Sequence, residues 1–181
     1  MITVARFERM SGVKTAELID GRVVEKNGGG VCGYVGAQLG CLLSEFVHRD
    51  DCGYVCAPTA GYACFPHRPQ LVRKPSVSFV RKGRFANETL PLGLATIVPN
   101  LVVLIVAPDD TFYEIEDKLN DYLLVRVPLI WVVNPDIDTV HVYAADGTVR
   151  RLTADQDLTG DPVLPGFRVR IADFLPPRTL P

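Results

Sequence analysis

The feature that most constrains this fold is the apolar run Leu101–Val106, which is rich in β-branched residues. Such a run is typical of a central β-strand that is covered on both faces by other elements. The segment 108–111, Pro-Asp-Asp-Thr, follows it and offers N-cap residues for a helix over about Phe112–Val125. A second buried strand is predicted at Leu129–Val133. This order of strand, helix and strand indicates a mixed α/β fold.

Turn signals and hydrophobic periodicity predict the remaining elements. Asp20-Gly21 and Asp146-Gly147 are strong hairpin signals, and the first ten residues are compatible with a short helix. The tail 164–175 is predicted to form a strand and a short terminal helix. Together these elements predict one α/β domain over residues 1–181, a common length for a single domain. Further predictions are a helix over Val31–Val47 and strands over Gly53–Pro58, Gly61–Phe65 and Ser76–Val80.

Composition narrows the class of protein. The formal net charge is −2, which argues against a dedicated nucleic-acid coat protein but leaves room for a local basic cleft. No apolar run approaches the ~20 residues of a membrane span, so we expect no membrane association. The N-terminal residues carry charges where a signal peptide needs an apolar core. The expected location is therefore the cytoplasm.

Five cysteines raise the question of a zinc site. Cys52, Cys56, Cys64 and His67 have the right residue types. On one strand, however, Cys52 and Cys56 would stand roughly 13 Å apart, too far for one tetrahedral ion. We interpret all five cysteines as reduced thiols, the usual state in a cytoplasmic protein.

Two groups of charged residues are open to more than one interpretation. Arg73, Lys74, Arg81 and Lys82 flank the strand predicted at 76–80 and are either a phosphate-facing patch or a solvated rim. Lys118 lies at the edge of the apolar stripe of the helix over 112–125, where most lysines lie along the surface. The same helical angles place Asp117, Asn120 and Asp121 opposite that stripe.

Four stretches of the chain together resemble the Uma2 (DUF820) family. They cover nearly the whole chain in the family's order and spacing. The stretches are ELIDGRVVEKN (17–27), GYACFPHRPQLVRKPSVSFVRKGR (61–84), VPNLVVLIVAPDDTFYEIEDKLNDYLLVRVPLIWVVNP (98–135) and LPGFRVRIADFL (164–175).

The resemblance implies a PD-(D/E)xK restriction-endonuclease-like fold and a metal site for Mg²⁺ or Mn²⁺. The family pattern has an aspartate at the position of Ser76 and a glutamate at that of Leu104, both as metal ligands, with a lysine at Lys118. It further implies Glu17 as an acidic residue of the site. In such a site the metal polarises the phosphate and activates a water, and the lysine offsets developing charge. DNA and a second copy of the chain are the implied partners.

The chain departs from this pattern at its centre. Ser76 offers an uncharged hydroxyl and Leu104 offers no ligand atom, whereas Mg²⁺ prefers carboxylate and water oxygens. We therefore hypothesise a catalytically impaired domain on a nuclease scaffold. Two alternatives stay open: a non-catalytic dimeric interaction module, and an active metal-dependent endonuclease that uses other acids. The candidate acids are Glu17, Asp20, Asp109, Asp110 and Glu116.

Overall fold

The computed structural model describes residues 1–25 and 28–177. Lys26 and Asn27, the end of the first Uma2-like stretch, lie outside this range. The helices are α1 (Val4–Glu8), α2 (Gly30–Arg49) and α3 (Phe112–Leu124), with 3₁₀ turns at Ala86–Glu88 and Ile171–Asp173. The strands are β1 (Glu17–Ile19), β2 (Arg22–Val24), β3 (Gly53–Cys56), β4 (Val77–Arg81), β5 (Leu101–Ile105), β6 (Leu129–Asn134), β7 (Thr139–Ala144), β8 (Val149–Thr153), β9 (Asp157–Thr159) and β10 (Arg168–Arg170).

A six-stranded mixed sheet in the order β3-β4-β5-β6-β7-β8 forms the centre of the fold. Only β5 and β6 are parallel neighbours in this sheet, and α3 connects them. All other neighbouring pairs in the sheet are antiparallel. β1–β2 and β9–β10 form two separate hairpins. Asp20 and Gly21 both adopt positive φ in the first hairpin turn, which the Asp-Gly signal predicts.

Helices cover both faces of the central strand β5, as its apolar sequence predicts. Leu101, Val103 and Ile105 belong to the buried cluster that includes the inner face of α2. Val102 and Leu104 belong to the cluster on the other face, which includes residues of α3. Successive side chains of a strand point to opposite faces, so an uninterrupted apolar run is needed where both faces are buried.

The predicted elements are confirmed with one exception. Residues 61–65 do not form a strand, because only Tyr62 makes isolated bridges there, to Arg73 and to Ala95. β9 was not predicted, since its three residues carry little periodic signal. Trp131 is fully buried and stacks on Phe167, with ring centroids 5.8 Å apart, as expected for a residue of the buried strand predicted at 129–133.

The length and composition of α2 differ from the expectation that no segment resembles a membrane span. Among the residues that the structure describes, it is the one helix whose length and mean hydropathy reach those of a span, and 22% of that window is buried in the fold. Its hydropathy comes mainly from valine, leucine, cysteine and phenylalanine, with four glycines among them. Val35, Leu39, Leu43 and Val47 pack against the central sheet, which accounts for its apolar inner face.

Candidate active-site cleft

A cleft of about 720 Å³ lies where β4 begins and β5 ends. One side of α2 lines it with small residues, among them Gly33, Gly36 and Ala37, and β1 and α3 contribute charged side chains. Sites for small ligands usually have a volume of this order. Among the described residues, the charged side chains that line the cleft are those of Glu17, Glu25, Arg73, Asp109, Asp110, Glu114, Asp117 and Lys118.

Ser76 and Lys118, two of the three positions of the family pattern, line this cleft together. Ser76 precedes β4 and is held against β5: its N–H donates to the carbonyl of Val103 at 2.9 Å, and its Oγ accepts from the N–H of Ile105 at 3.3 Å. Lys118 is not a surface lysine, because its side chain is 12% exposed and its Nζ lies 3.4 Å from Oε2 of Glu17. The structure thus brings Glu17, Ser76 and Lys118 to one cleft.

Leu104, the third position, does not line the cleft. It is 2% exposed and belongs to the buried cluster that contains Leu119 and Tyr122 of α3. In the β4–β5 register Val77 pairs with Val103, so one further step places Ser76 opposite Leu104. Residues paired in this way are neighbours across a sheet. The two positions are therefore adjacent, although leucine fills the core and only Ser76 reaches the cleft.

Arg73 occupies the centre of a buried ion-pair network. Its side chain is 2% exposed and donates to three carboxylates: Glu17 at 3.1 Å, Asp117 at 2.5 Å and Asp121 at 2.5 and 2.8 Å. Burial by itself acts to lower the pKa of Arg73, but the negative charges of Glu17 and Asp121 outweigh it and raise the pKa. Arg73 therefore stays charged, since buried charges are stable only when they are paired in this way.

A second arginine closes the network at its rim. Arg68 donates through Nη1 to Asp117 and Asp121 at 3.0–3.1 Å, and through Nε and Nη2 to Asp20 at 3.1 and 2.8 Å. The hydrogen bonds from Arg68 lower the pKa of Asp20. Burial acts to raise the pKa of Asp117, but the hydrogen bonds and charges of Arg68 and Arg73 outweigh it, so that pKa is also lowered.

Sequence reasoning missed the role of Asp121. The helical angles place Asp121 opposite the apolar stripe of α3, on the side of a helix that usually faces solvent. In the structure, however, Asp121 is only 1% exposed. The segment that contains Arg68 and Arg73 covers this side of the helix and supplies the cations that pair with it. No local pattern marks such a residue, because its partners lie 48 and 53 residues away.

The four residues predicted as a nucleic-acid patch do not form one surface. Arg73 and Lys74 are buried, and the Lys74 ammonium donates to the carbonyls of Val13 and Lys14 at 2.8 and 2.9 Å. Arg81 and Lys82 are exposed at the other end of β4. A patch built from all four is therefore wrong, because ion pairs and backbone carbonyls inside the fold bind the first two. DNA binding itself stays a prediction.

The donors in the cleft do not fit the divalent metal that the family pattern implies. Ser76 already accepts a backbone hydrogen bond, and Leu104 has no donor atom. The carboxylate of Glu17 accepts hydrogen bonds from Arg73 and from the backbone N–H of Lys74. A site of one or two free carboxylates, which Mg²⁺ usually requires, is thus not offered by these residues.

The other candidate acids do not come together to replace the two carboxylates that the family pattern has at positions 76 and 104. Asp20 pairs with Arg68, and Asp110 accepts from the N–H of Ala107 at 2.8 Å. Glu116 is exposed and does not line the cleft, whereas Asp109 lies exposed at its mouth. Within residues 1–25 and 28–177, no three His, Cys, Asp or Glu residues are grouped so that they could hold a metal ion.

The cysteine residues carry free thiols in the part of the chain that the structure describes. Burial raises the pKa of Cys56 and raises that of Cys64 to about 12. His67 lies 3.3 Å from Asp121 and so contacts the ion-pair network instead of a set of thiolates. The described residues therefore show no zinc site formed by Cys52, Cys56, Cys64 and His67.

Comparisons with known proteins agree with this architecture. The family model described as "Uma2: Putative restriction endonuclease" matches residues 4–172. Among solved structures, a "putative nuclease belonging to DUF820" from Anabaena variabilis ATCC 29413 superposes with a TM-score of 0.80. It is 17% identical, and the match covers 96% of this chain and 97% of that one, so it establishes the fold. No curated protein matches the chain.

Proposed function

The chain belongs to the Uma2 family of restriction-endonuclease-like proteins, and we propose that it is a catalytically impaired member of that family. One observation carries this proposal: Glu17, the acid that pairs with Lys118, is bound by the buried Arg73, and the two family ligand positions hold serine and leucine. The domain keeps the nuclease scaffold and its cleft. At the two family ligand positions it offers no carboxylate through which a metal ion would activate water for phosphodiester cleavage.

The energetics of the network support an impaired centre. For a divalent ion to bind Glu17 or Asp121, it would have to displace the guanidinium of Arg73 from hydrogen bonds of 2.5–3.1 Å. Breaking a buried ion pair typically costs about 3–5 kcal/mol. The metal would have to recover that cost and also its own dehydration, which Mg²⁺ resists. Metal-dependent cleavage in this cleft is therefore disfavoured.

The family description implies DNA as a partner. We propose that this chain contacts DNA outside the cleft. Of the described residues that line the cleft, six are acidic and two are basic, and this surplus of negative charge repels phosphates when no metal is bound. Arg81, Lys82 and Arg84 are exposed near the far end of β4. They form a small basic surface, in which Lys82 also pairs with Asp51, and its contribution to DNA binding should weaken as salt increases.

A working endonuclease is the competing proposal, and Asp109 is the observation that favours it. Its carboxylate lies at the mouth of the cleft and is exposed, so it could join Lys118 and a metal ion if neighbouring acids rearranged. A third proposal is a homodimeric interaction module. Light scattering coupled to size exclusion measures the mass in solution and tests dimerisation separately from cleavage.

A metal-dependent nuclease assay decides between the first two proposals. Rigorously purified protein is incubated with single- and double-stranded DNA in Mg²⁺, Mn²⁺ or EDTA, beside Lys118→Ala and Asp109→Asn variants. We expect no metal-dependent cleavage above that of Lys118→Ala. Robust cleavage that EDTA abolishes and that Lys118→Ala loses would overturn the proposal, and its loss in Asp109→Asn would support the working enzyme.

A further inference from the structure

We propose that the cleft is a groove for an extended, basic peptide segment of a partner protein, which pairs with the free edge of β3 and lies along the small residues of α2. The inference rests on the proposed function in one respect, because an impaired nuclease leaves the cleft free of metal and DNA. Three features of the cleft support it: an unpaired strand edge, a helix face of small residues that the fold does not require, and a surplus of negative charge.

The strand β3 has a free hydrogen-bonding edge in the wall of this cleft. It is the outermost strand of the six-stranded sheet, and its neighbour there is β4. The N–H of Lys82 donates to the carbonyl of Cys52 at 2.9 Å, which fixes the alternation of hydrogen bonds along β3. The N–H and C=O of Val55, three residues further on, therefore point away from β4, and Val55 lines the cleft. Within residues 1–25 and 28–177 they have no backbone partner outside the sheet. Such an edge is a template for another extended strand.

Another wall of the cleft is a face of α2 that consists of small residues. They follow the three-to-four residue spacing of one helix face and are Gly33, Gly36, Ala37, Gly40 and Ser44. This face runs for roughly 17 Å along the helix axis. About five residues of an extended chain have the same length. Small side chains let the backbone of another chain approach closely, so this wall suits an extended peptide.

The fold itself does not require the glycines of this face. Neither Gly36 nor Gly40 has a positive φ. The nearest described atom to an added Cβ would be Cδ1 of Ile105 at 3.5 Å for Gly36, and Cγ2 of Val77 at 4.0 Å for Gly40. Both are ordinary van der Waals distances. A glycine inside a helix is less favourable than an alanine, so α2 loses stability at two positions that line the cleft. A chain segment that binds in the cleft and needs this space explains the loss.

The charge of the cleft favours a segment that carries lysine or arginine. Acidic residues outnumber basic ones among the described residues that line it, and Glu25 and Asp109 are exposed to solvent. Phe112 and Tyr113, which follow that acidic segment at the start of α3, are 81% and 83% exposed. Lysine and arginine are attracted to carboxylates and also to the faces of aromatic rings. A basic peptide therefore complements this cleft, whereas the phosphates of DNA do not.

The test selects a peptide and then locates its binding site. Random peptides of about eight residues, displayed on phage, are selected on the wild-type protein in EDTA, and enriched sequences are synthesised with a fluorescein label. Fluorescence anisotropy measures their binding to wild type and to Gly40→Leu, which places a large side chain in the cleft. Cys41→Leu is the matched control, because it adds the same side chain at an exposed position of α2 that does not line the cleft. The melting temperature of each variant is measured in parallel.

We expect selected peptides to be rich in lysine or arginine, to bind Gly40→Leu about tenfold or more weakly than wild type, and to bind Cys41→Leu within about twofold of wild type. Gly36→Ala/Gly40→Ala should melt at the wild-type temperature or above it, yet bind the peptide more weakly, because the helix is stabilised while the groove narrows. If Gly40→Leu does not fold, this alanine variant replaces it. N-methylation of successive peptide amides should weaken binding at every second position, because alternate N–H groups of a strand face its neighbour.

Peptides that bind Gly40→Leu as tightly as wild type would overturn the inference, and so would an N-methyl scan without this alternation. A selection that enriches no basic peptides would overturn it as well. DNA that displaces the peptide in EDTA would show that the groove binds nucleic acid instead. The same preparations assayed for DNA cleavage separate the two proposals. Metal-dependent cleavage by wild type contradicts the proposed function, whereas failure to bind peptides without such cleavage contradicts only the peptide groove.

Discussion

The guanidinium of Arg73 and the carboxylate of Asp121 lie 48 residues apart in the sequence, yet two hydrogen bonds of 2.5 and 2.8 Å join them. Both side chains are 2% exposed. This pair ties the segment before β4 to α3, and through Glu17 it reaches the first hairpin. Arg73 thus connects three elements of the fold through its ion pairs with Glu17 and Asp121.

Removal of the negative charge from this pair should destabilise the whole domain. Asp121→Asn leaves the Arg73 guanidinium buried with one partner fewer, and we expect the free energy of unfolding to fall by about 3–5 kcal/mol. Urea denaturation followed by tryptophan fluorescence measures it. Glu116→Gln, an exposed acid on the same helix, is the control and should change stability by less than about 0.5 kcal/mol. Equal effects of the two changes would refute a structural role for the pair.

Restoring both acids should restore metal binding. The Ser76→Asp/Leu104→Glu variant places carboxylates at the two family ligand positions, which the sheet register makes neighbours. We expect calorimetry to detect Mn²⁺ binding that wild type lacks. No gain of binding by a folded double variant would count against the assignment of these two positions.

Leu104→Glu alone should be costly. Its side chain is 2% exposed among Leu119 and Tyr122, and a buried carboxyl without a partner is unfavourable. We expect a loss of about 2–4 kcal/mol in urea denaturation at pH 7. Leu104→Met conserves volume and should cost less than about 1.5 kcal/mol. If Leu104→Glu were as stable as Leu104→Met, this side chain would have to reach the cleft instead of the core.

The network should make stability depend on pH in the acidic range. The pKa values of Asp20 and Asp117 are lowered from 3.8, first of all by Arg68 for Asp20, and by Arg68 and Arg73 against burial for Asp117. A carboxyl with a lower pKa in the folded state stabilises the protein above its unfolded pKa. That contribution is lost as pH falls through the folded value. The free energy of unfolding should therefore fall from about pH 5 downward.

Arg68→Met tests the origin of this acid dependence. Without the guanidinium the folded pKa values of Asp20 and Asp117 return toward 3.8, so the free energy of unfolding should decline less steeply below about pH 5. Arg49→Met, which removes an exposed arginine beside Asp50, should keep the wild-type slope. Parallel slopes for wild type and Arg68→Met would show that other groups control acid unfolding.

Thiol accessibility should distinguish buried cysteines from exposed ones. Cys64 is 8% exposed and burial raises its pKa to about 12, so almost no thiolate is present at pH 7.5. We expect N-ethylmaleimide to label exposed Cys41 in the native protein and to spare Cys64 until guanidinium unfolds it. Mass spectrometry of peptides measures both sites, and Cys41→Ser should remove the fast label. Fast labelling of Cys64 in native protein would contradict its burial.

Local sequence determined most of the architecture. The run at 101–105 predicts a central strand because an element buried on both faces can carry no polar side chain without a partner. Thr111 and Glu114 form the capping box that begins α3, and each Asp-Gly pair lies between two antiparallel strands, as its hairpin signal predicts. The family pattern also placed Ser76 and Lys118 in one cleft. These features depend on residues that are close in the chain, or on a spacing that can be compared directly with that of the family pattern.

Only the tertiary structure decided which charges are buried. Arg73 was expected on a basic surface and Asp121 on the solvent side of its helix, and both are in the interior. A charged side chain can leave water only when opposite charges and donors surround it, and those partners come from β1, the segment before β4, and α3. Periodicity reports on one element at a time, whereas the burial of an ion pair is a property of the elements that meet around it.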